Sequence, residues 1–391
     1  MDELRPIVFT VFEPSGDVLA ARLIQEVKRR QPGRPIFALG GPKIQAAGAE
    51  LIETTTAHAK MGLSAVTEAR ELLRRKAVLR DWMKENDIAA HVPVDSPGAN
   101  WSMCRVTRKV RPSAKVVHLV GPQIWAWAPW RIRKLRWLTD HVMCLLPFEP
   151  EWFGSRGVPG TFVGHPLYEA DAPAVDPVTL RTIEKEPMQD GEPNLALLPG
   201  SRPKEIAFNW PTMLQVYDQL RHRRPDMAVT VAAADADRAN QIKQLCPGGR
   251  PPRGVRIVIG EAQGVLDWAD AALVVSGTAT LQAASRRTPM VALFNANVTL
   301  WKLIGRFLIQ ARTFALPNVI GESMEGVGRI VPELIPHDGS PEPVLAALNP
   351  ILDDGEARRE QMAGFDALDR AFGQTVFHEA AADVLLGQIE G

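Results

Sequence analysis

Two doubly wound α/β halves in series are the fold the sequence predicts, and three observations predict it. Short apolar runs alternate with helical stretches along most of the chain. A segment rich in proline and acids, Glu169–Pro177, interrupts that rhythm, which then restarts. Two apolar runs of the second half end in small-residue turns that open helices. Buried strands alternating with helices mean a parallel sheet covered on both faces. A chain of 391 residues is long enough to bury two such cores.

The elements follow in order. Ile7–Val11 is an apolar strand, and Pro14-Ser15-Gly16-Asp17 is a turn. Val18–Arg30 repeats Leu19, Leu23, Ile24 and Val27 at helical spacing. Pro35–Leu39 is the second strand, closed by Gly40-Gly41-Pro42. Thr67–Lys84 is a basic amphipathic helix, and Ile88–Val94, Lys115–Val120 and Thr139–Leu145 are further strands. Beyond the linker come strands at Leu195–Leu198, Ala228–Ala232, Arg256–Ile259, Ala271–Val275 and Met290–Phe294. Helices are expected near Trp210–Arg223, from Thr278, and over Ala357–Gly387. Two such halves put a cleft between domains.

Composition excludes several classes. Lys plus Arg equal Asp plus Glu at 45 each, so no bulk charge attracts nucleic acid. Three separated cysteines form neither a metal-ligand pair nor a disulfide framework, which suits a reducing cytoplasm. The start Met1-Asp2-Glu3-Leu4-Arg5-Pro6 lacks the basic, then apolar, pattern of a signal peptide. No apolar run is long enough to span a bilayer.

The residues that bear chemistry sit at strand ends. Gly200-Ser201-Arg202 follows Asn194–Leu198, and Ser276-Gly277-Thr278 follows Ala271–Val275. Unpaired N–H groups at a helix start hold anions, so the two turns together fit one phosphorylated ligand, with Arg202 adding a forked donor. Asp95 ends Ile88–Val94; it reads as a general base or as a cap of the next helix. Glu13, Ser15 and Asp17 surround the first strand–helix turn, which is no GxGxxG; it is a phosphate site, or Ser15 or Asp17 caps the helix. Asp235 and Asp237 form a D-x-D that reads better as capping than as a Mg²⁺ site. Trp125–Trp137 interleaves aromatics with cations and fits an amphipathic helix, a membrane-surface or ligand-lining segment, or a nucleic-acid stacking surface. Thr67–Lys84 reads as a solvated face over a core or as a membrane contact.

Taken together, ordered motifs across nearly the whole chain resemble the lipid-A-disaccharide synthase family. They include Ser15-Gly16-Asp17, Gly40-Gly41-Pro42-Lys43, Met61-Gly62, Asp95-Ser96-Pro97, Pro122-Gln123-Ile124-Trp125-Ala126-Trp127 and Leu146-Pro147-Phe148-Glu149. Gly164-His165-Pro166, Leu198-Pro199-Gly200-Ser201-Arg202 with Glu205, Ser276-Gly277-Thr278-Ala279 and Leu316-Pro317-Asn318 complete the set. The resemblance implies an inverting glycosyltransferase of GT-B architecture. Its domains would be an acceptor-binding half over 1–168, a UDP-sugar half over 169–350, and helices over 351–391 that pack back on the first.

The reaction implied joins UDP-2,3-diacylglucosamine to 2,3-diacylglucosamine 1-phosphate (lipid X), giving a β-1,6-linked disaccharide phosphate and UDP. No metal and no cofactor are implied. Asp95 would be the catalytic base. Gly200, Ser201, Arg202, Glu205, Ser276, Gly277, Thr278 and Gln282 would bind UDP. Glu13, Ser15, Asp17, Asn100, Trp125 and Asn318 would bind the acceptor. The setting implied is cytoplasmic, peripheral on the inner face of the cell membrane, with Thr67–Lys84 at the membrane-associating position. A homodimer is admissible, and no nucleic-acid partner is implied.

The chain departs from the family pattern at Phe12 (family Gly), at Gly98 and Ala99 (family Asp-Phe), and at Gln282 (family Glu). Phe12 is expected to shrink the acceptor site or alter its turn. A transferase with another acceptor and a catalytically silent nucleotide-sugar or lipid-binding protein are the alternatives.

Overall fold

Two sheets, parallel in every described pairing, carry the molecule. The computed structural model describes residues 4–55, 65–169, 191–295, 313–353 and 355–390. The chain divides into a unit of residues 1–170 with 374–391 and a unit of residues 171–373. Residues 170–177 of the expected linker, and Met61-Gly62, lie outside the described residues.

The first unit holds β1 (Ile7–Thr10), β2 (Ile36–Gly40), β3 (Glu50–Thr54), β4 (Ala90–Pro93), β5 (Lys115–Leu119), β6 (His141–Cys144) and β7 (Gly160–Phe162). Their order is β3-β2-β1-β4-β5-β6-β7. The second unit holds β8 (Asn194–Leu198), β9 (Ala228–Ala233), β10 (Val255–Ile259), β11 (Ala271–Val275), β12 (Met290–Asn295) and β13 (Glu333–His337). Their order is β10-β9-β8-β11-β12-β13. In each sheet the chain steps to one side and then returns to the other. The order therefore reverses between β1 and β4, and again between β8 and β11. In open α/β sheets, ligands bind beyond the carboxyl ends of strands at such a switch point.

The central strands are buried at every residue in β1, β4 and β11, which is why they read as near-continuous apolar runs. The strands that the pattern does not announce are β3, β7 and β13, and all three lie at sheet edges. Edge strands have one neighbour and mixed composition, so their apolar signal is weak.

The C-terminal helical stretch is two helices. Glu356–Phe372 belongs to the second unit and ends at Gly373, whose φ is 62°. Phe377–Glu390 belongs to the first and packs on helix Pro14–Arg30. Phe377 and Leu385 are fully buried there with Leu23, Ile24 and Val27; each such side chain contributes about 2–3 kcal/mol. Glu169 anchors the junction, accepting the Phe377 N–H at 2.6 Å and pairing with Arg22. Gly164 is required nearby, since a Cβ would lie 2.5 Å from the Thr375 carbonyl oxygen.

Candidate active site

The first unit gathers Glu13, Asp95, Ser96 and Asn100 at the β1–β4 switch point. Thr10 of β1 pairs in register with Pro93 of β4, so Glu13 and Asp95 leave neighbouring strands at nearly the same level. Asp95 and Ser96 both have positive φ, 46° and 42°. Such a conformation in non-glycine residues costs on the order of 1 kcal/mol each and needs outside support.

Asn100 supplies that support. It is fully buried, and its Nδ2 donates to the carbonyls of Val94 (2.7 Å) and Asp95 (2.8 Å). Its Oδ1 accepts from Thr10 Oγ1 at 2.6 Å. Thr10 Oγ1 also meets His91 Nε2 at 2.8 Å, and His91 Nδ1 meets Thr107 Oγ1 at 2.7 Å. Burial lowers the His91 pKa to about 3, so this ring is neutral and serves as a hydrogen-bonded strut. Sequence reasoning missed the strut; a histidine and a threonine inside otherwise apolar strands were the available signal.

The Asp95 side chain has no side-chain partner among the described residues. The cap position of helix Pro97–Val110 is Ser96, without a side-chain cap bond, so Asp95 is not spent on capping. Burial first, then the Glu13 carboxylate, raise its proton affinity above the usual carboxylate range. Ser96 Oγ donates to Glu13 Oε1 at 2.7 Å and fixes the second carboxylate beside the first.

Asp17 does something else. Both its oxygens accept backbone N–H groups, from Gly41 at 2.9 Å and Lys43 at 3.0 Å, so it caps the neighbouring turn. Its own helix, Pro14–Arg30, starts after Glu13 with no side-chain cap bond. Ser15 is exposed. The Phe12 ring packs with Phe37, Leu72 and Trp82, and Arg75 lies 5.8 Å over it.

One functional candidate is absent from the sequence-based set. Glu149 is buried, accepting from Trp125 Nε1 at 3.0 Å and from the Leu146 N–H at 3.2 Å. Burial raises its pKa to about 7, and Asp95 adds to the rise. Trp125 is thereby held edge-on to Phe148, with ring centroids 5.1 Å apart. The signal was Glu149 inside a motif already quoted, at the start of a short helix.

In the second unit, Val274 of β11 is in register with Leu198 of β8, so both glycine turns emerge on one sheet edge. They differ in state. Gly200 has φ 110° and lies against Glu205. Glu205 Oε2 accepts the N–H groups of Ser201 (3.1 Å) and Arg202 (3.2 Å), and its Oε1 accepts from Arg202 Nη1 at 2.8 Å. The expectation that this turn offers open N–H donors is therefore corrected: its own glutamate occupies them. The Arg202 side chain stays exposed. At the second turn, Gly277 precedes helix Thr278–Ser285 with no side-chain cap bond, and a Cβ on Gly277 would meet nothing within 4 Å. Gln282 is half-buried, with no side-chain hydrogen bond among the described residues.

Asn318 is fully buried and knots the chain locally. Its Oδ1 accepts from Ile330 and Val331 N–H groups at 2.8 Å each, and its Nδ2 donates to the Val331 carbonyl at 2.9 Å. Asp235 Oδ1 accepts the Arg238 N–H at 2.8 Å, the capping expected of the D-x-D. No cluster with metal-ligand geometry occurs among the described residues.

Two Rossmann-like sheets in series, each with polar groups at its switch point, define a GT-B fold. UDP-GlcNAc 2-epimerase from Neisseria meningitidis bound to UDP-GlcNAc aligns with TM-score 0.65 at 11% identity, covering 98% of this chain and 100% of that one. The S. aureus MnaA–UDP co-structure aligns with TM-score 0.62 at 10% identity, covering 98% and 96%. At these identities the likeness shows the fold alone.

Sequence similarity goes further. The profile described as lipid-A-disaccharide synthetase matches residues 7–383. Lipid-A-disaccharide synthase of Pseudomonas savastanoi pv. phaseolicola (strain 1448A / Race 6) is 32% identical over 386 residues, 98% of this chain and 97% of that protein. The enzyme of Pseudomonas aeruginosa (strain LESB58) is 33% identical over 386 residues, 98% of each chain. The chain belongs to the lipid-A-disaccharide synthase family, and it is a glycosyltransferase of lipid A disaccharide synthesis.

Proposed function

We propose that this chain transfers 2,3-diacylglucosamine from UDP to the 6-hydroxyl of 2,3-diacylglucosamine 1-phosphate, with inversion, releasing UDP. The observation that carries this reading is Asp95: an unpaired, partly exposed carboxylate on a braced turn at a switch point, its proton affinity raised by burial and by Glu13. In the displacement the acceptor oxygen bonds to the anomeric carbon as the bond to UDP breaks. Asp95 takes the hydroxyl proton. Charge gathers on the departing β-phosphate, where Arg202 and the open N–H groups after Gly277 are the proposed donors. Gln282 faces the ribose in this reading, and Glu13, Ser15 and Trp125 line the acceptor side. Asn100, Asp17 and Asn318, each buried and fully engaged, act by holding turns. Both substrates are acylated, so the work is done at the inner face of the cell membrane. No helix among the described residues is long and apolar enough to cross a membrane.

Release of UDP from the diacyl donor and lipid X tests the reading. Asp95→Asn is expected to lower turnover about 10³-fold, within the range of a lost general base, while UDP affinity stays within about twofold. Unchanged turnover removes Asp95 as the base. A second reading, another acylated acceptor, is favoured by Gly98: a Cβ there meets nothing within 4 Å, where the family pattern has an aspartate. Its mark is UDP release with a different acyl-sugar and none with lipid X.

A further inference from the structure

The first unit carries a charge asymmetry that the transfer reaction does not use. Between Ser96 and Thr139 the chain has nine Lys and Arg and no Asp or Glu, in a protein of net charge zero. Arg108 is matched by Asp140 at 2.9 Å, and Arg111 is spent on the carbonyls of Asn86 and Lys84. Among the described residues, no carboxylate lies within ion-pair distance of Arg105, Arg131, Arg133, Lys134 or Arg136. Arg105 and Arg131 lie close enough to Lys134 to oppose its charge.

The same stretch exposes tryptophans. Trp127 is 48% exposed, Trp130 55% and Trp137 59%. Helix Ile132–Leu138 buries Ile132, Leu135 and Leu138. Helical spacing then puts Trp130, Arg133 and Trp137 together on the opposite, outward side. Arg131 is clamped between aromatic faces, 4.3 Å from the Trp101 centroid and 4.8 Å from that of Trp127. Lys134 also sits over Trp101, at 4.7 Å. The cations are thus fixed around the exposed rings. Rings with one polar edge, bordered by unmatched cations, suit the headgroup level of a bilayer that carries anionic lipid.

The basic helix Ala65–Glu85 is built differently. Leu79 and Met83 are buried, and Leu72 and Trp82 pack partly buried against the same cluster. Its outer cations are matched: Arg74 by Glu53 and Glu71, and Arg80 and Lys84 by Asp81. Leu73 is the large apolar residue it exposes among its described side chains.

We infer that the outward face of residues 127–137, and not the face of helix Ala65–Glu85, docks this protein on membranes containing anionic lipid. The inference deepens the proposed work on acylated sugars, but its test reads lipid binding alone. Full-length protein is sedimented with vesicles of phosphatidylcholine, with and without about 30% phosphatidylglycerol, and UDP binding is measured in parallel. Wild type is expected to bind the anionic vesicles at least tenfold more tightly than the neutral ones. W130A/W137A is expected to lose at least tenfold. R133Q/K134Q is expected to lose about 25-fold, from roughly fivefold per charge near a membrane surface. Leu73→Gln is expected to change binding less than twofold. All variants should keep UDP affinity, which shows them folded; loss of UDP binding by wild type would instead strike the transferase reading. The inference is overturned if the tryptophan pair binds like wild type, or if Leu73→Gln abolishes binding. Equal binding to neutral vesicles, or tighter binding to single-stranded RNA than to anionic vesicles, also overturns it.

Discussion

Glu149→Gln should remove a pH dependence that the fold builds into the first unit. Glu149 is 2% exposed, and burial moves its pKa from 4.5 to about 7. Between those values the folded chain holds the proton while the unfolded chain releases it. A raised folded pKa gives stability that is fully present below the unfolded value and lost as pH rises through the folded one. The window therefore runs from pH 4.5 to about 7. A difference of roughly 2.5 units, at about 1.4 kcal/mol per unit, makes the loss about 3 kcal/mol. Glutamine cannot ionise and has no such slope. Its amide NH₂ faces the Leu146 N–H or forfeits the Trp125 bond, a constant penalty of about 1–2 kcal/mol. The assay is urea unfolding of both proteins, followed by tryptophan fluorescence, in steps from about pH 4.5 to about pH 8. Other titrating groups cancel in the difference. The wild-type margin should be largest at the acid end and shrink by about 3 kcal/mol across the window. A margin constant with pH refutes the assignment of a neutral Glu149.

Three further outcomes are expected. Gln282→Glu places a charged acceptor where a half-buried, unbonded amide stands, and should tighten UDP binding by about 1–2 kcal/mol in calorimetry; no change or weaker binding means the ribose is held elsewhere. Glu13→Gln removes a carboxylate that raises the Asp95 pKa, so the acidic limb of the kcat/KM profile should move to lower pH; an unmoved or raised limb counts against the pairing. Asn100→Ala deletes the two donors to the Val94 and Asp95 carbonyls. It should lower turnover at least 100-fold with UDP affinity retained, and full turnover would show that the Asp95 turn needs no brace.

The central strands were legible because their burial on both faces leaves an uninterrupted apolar run. Ala271–Val275 is correct at both ends, and Ile7–Val11 misses by one residue. Helix Pro97–Val110 was not anticipated. Its opening Pro-Gly-Ala-Asn looks like a loop, and its buried residues include Asn100, Ser102 and Thr107 beside Trp101. The position of Asp95 at a strand end was readable from the sequence, but its brace was not. The Asn100–Thr10–His91 network joins residues 81 and 90 apart, a distance at which local spacing carries no information. For the same reason Asp17 was read as part of the first turn, although its carboxylate belongs to the turn after β2.

The two glycine turns of the second unit show what decides whether a helix start stays open. Both follow a buried strand, and both present a glycine with positive φ. The deciding residue is the third of each helix. In Pro203–Arg223 it is Glu205, long enough to fold back on the N–H groups of Ser201 and Arg202 and charged enough to hold Arg202 as well. In Thr278–Ser285 it is Thr280, whose shorter hydroxyl donates to the Gly277 carbonyl and accepts from the Leu316 N–H. That hydroxyl is committed inward, so the donors at the start of Thr278–Ser285 keep no internal acceptor. A glutamate three residues after the cap position is visible in sequence, and it separates a self-filled anion site from an open one. On this argument the backbone grip on a diphosphate belongs to the Gly277 turn, and the Gly200 turn contributes chiefly the exposed, mobile-ended guanidinium of Arg202.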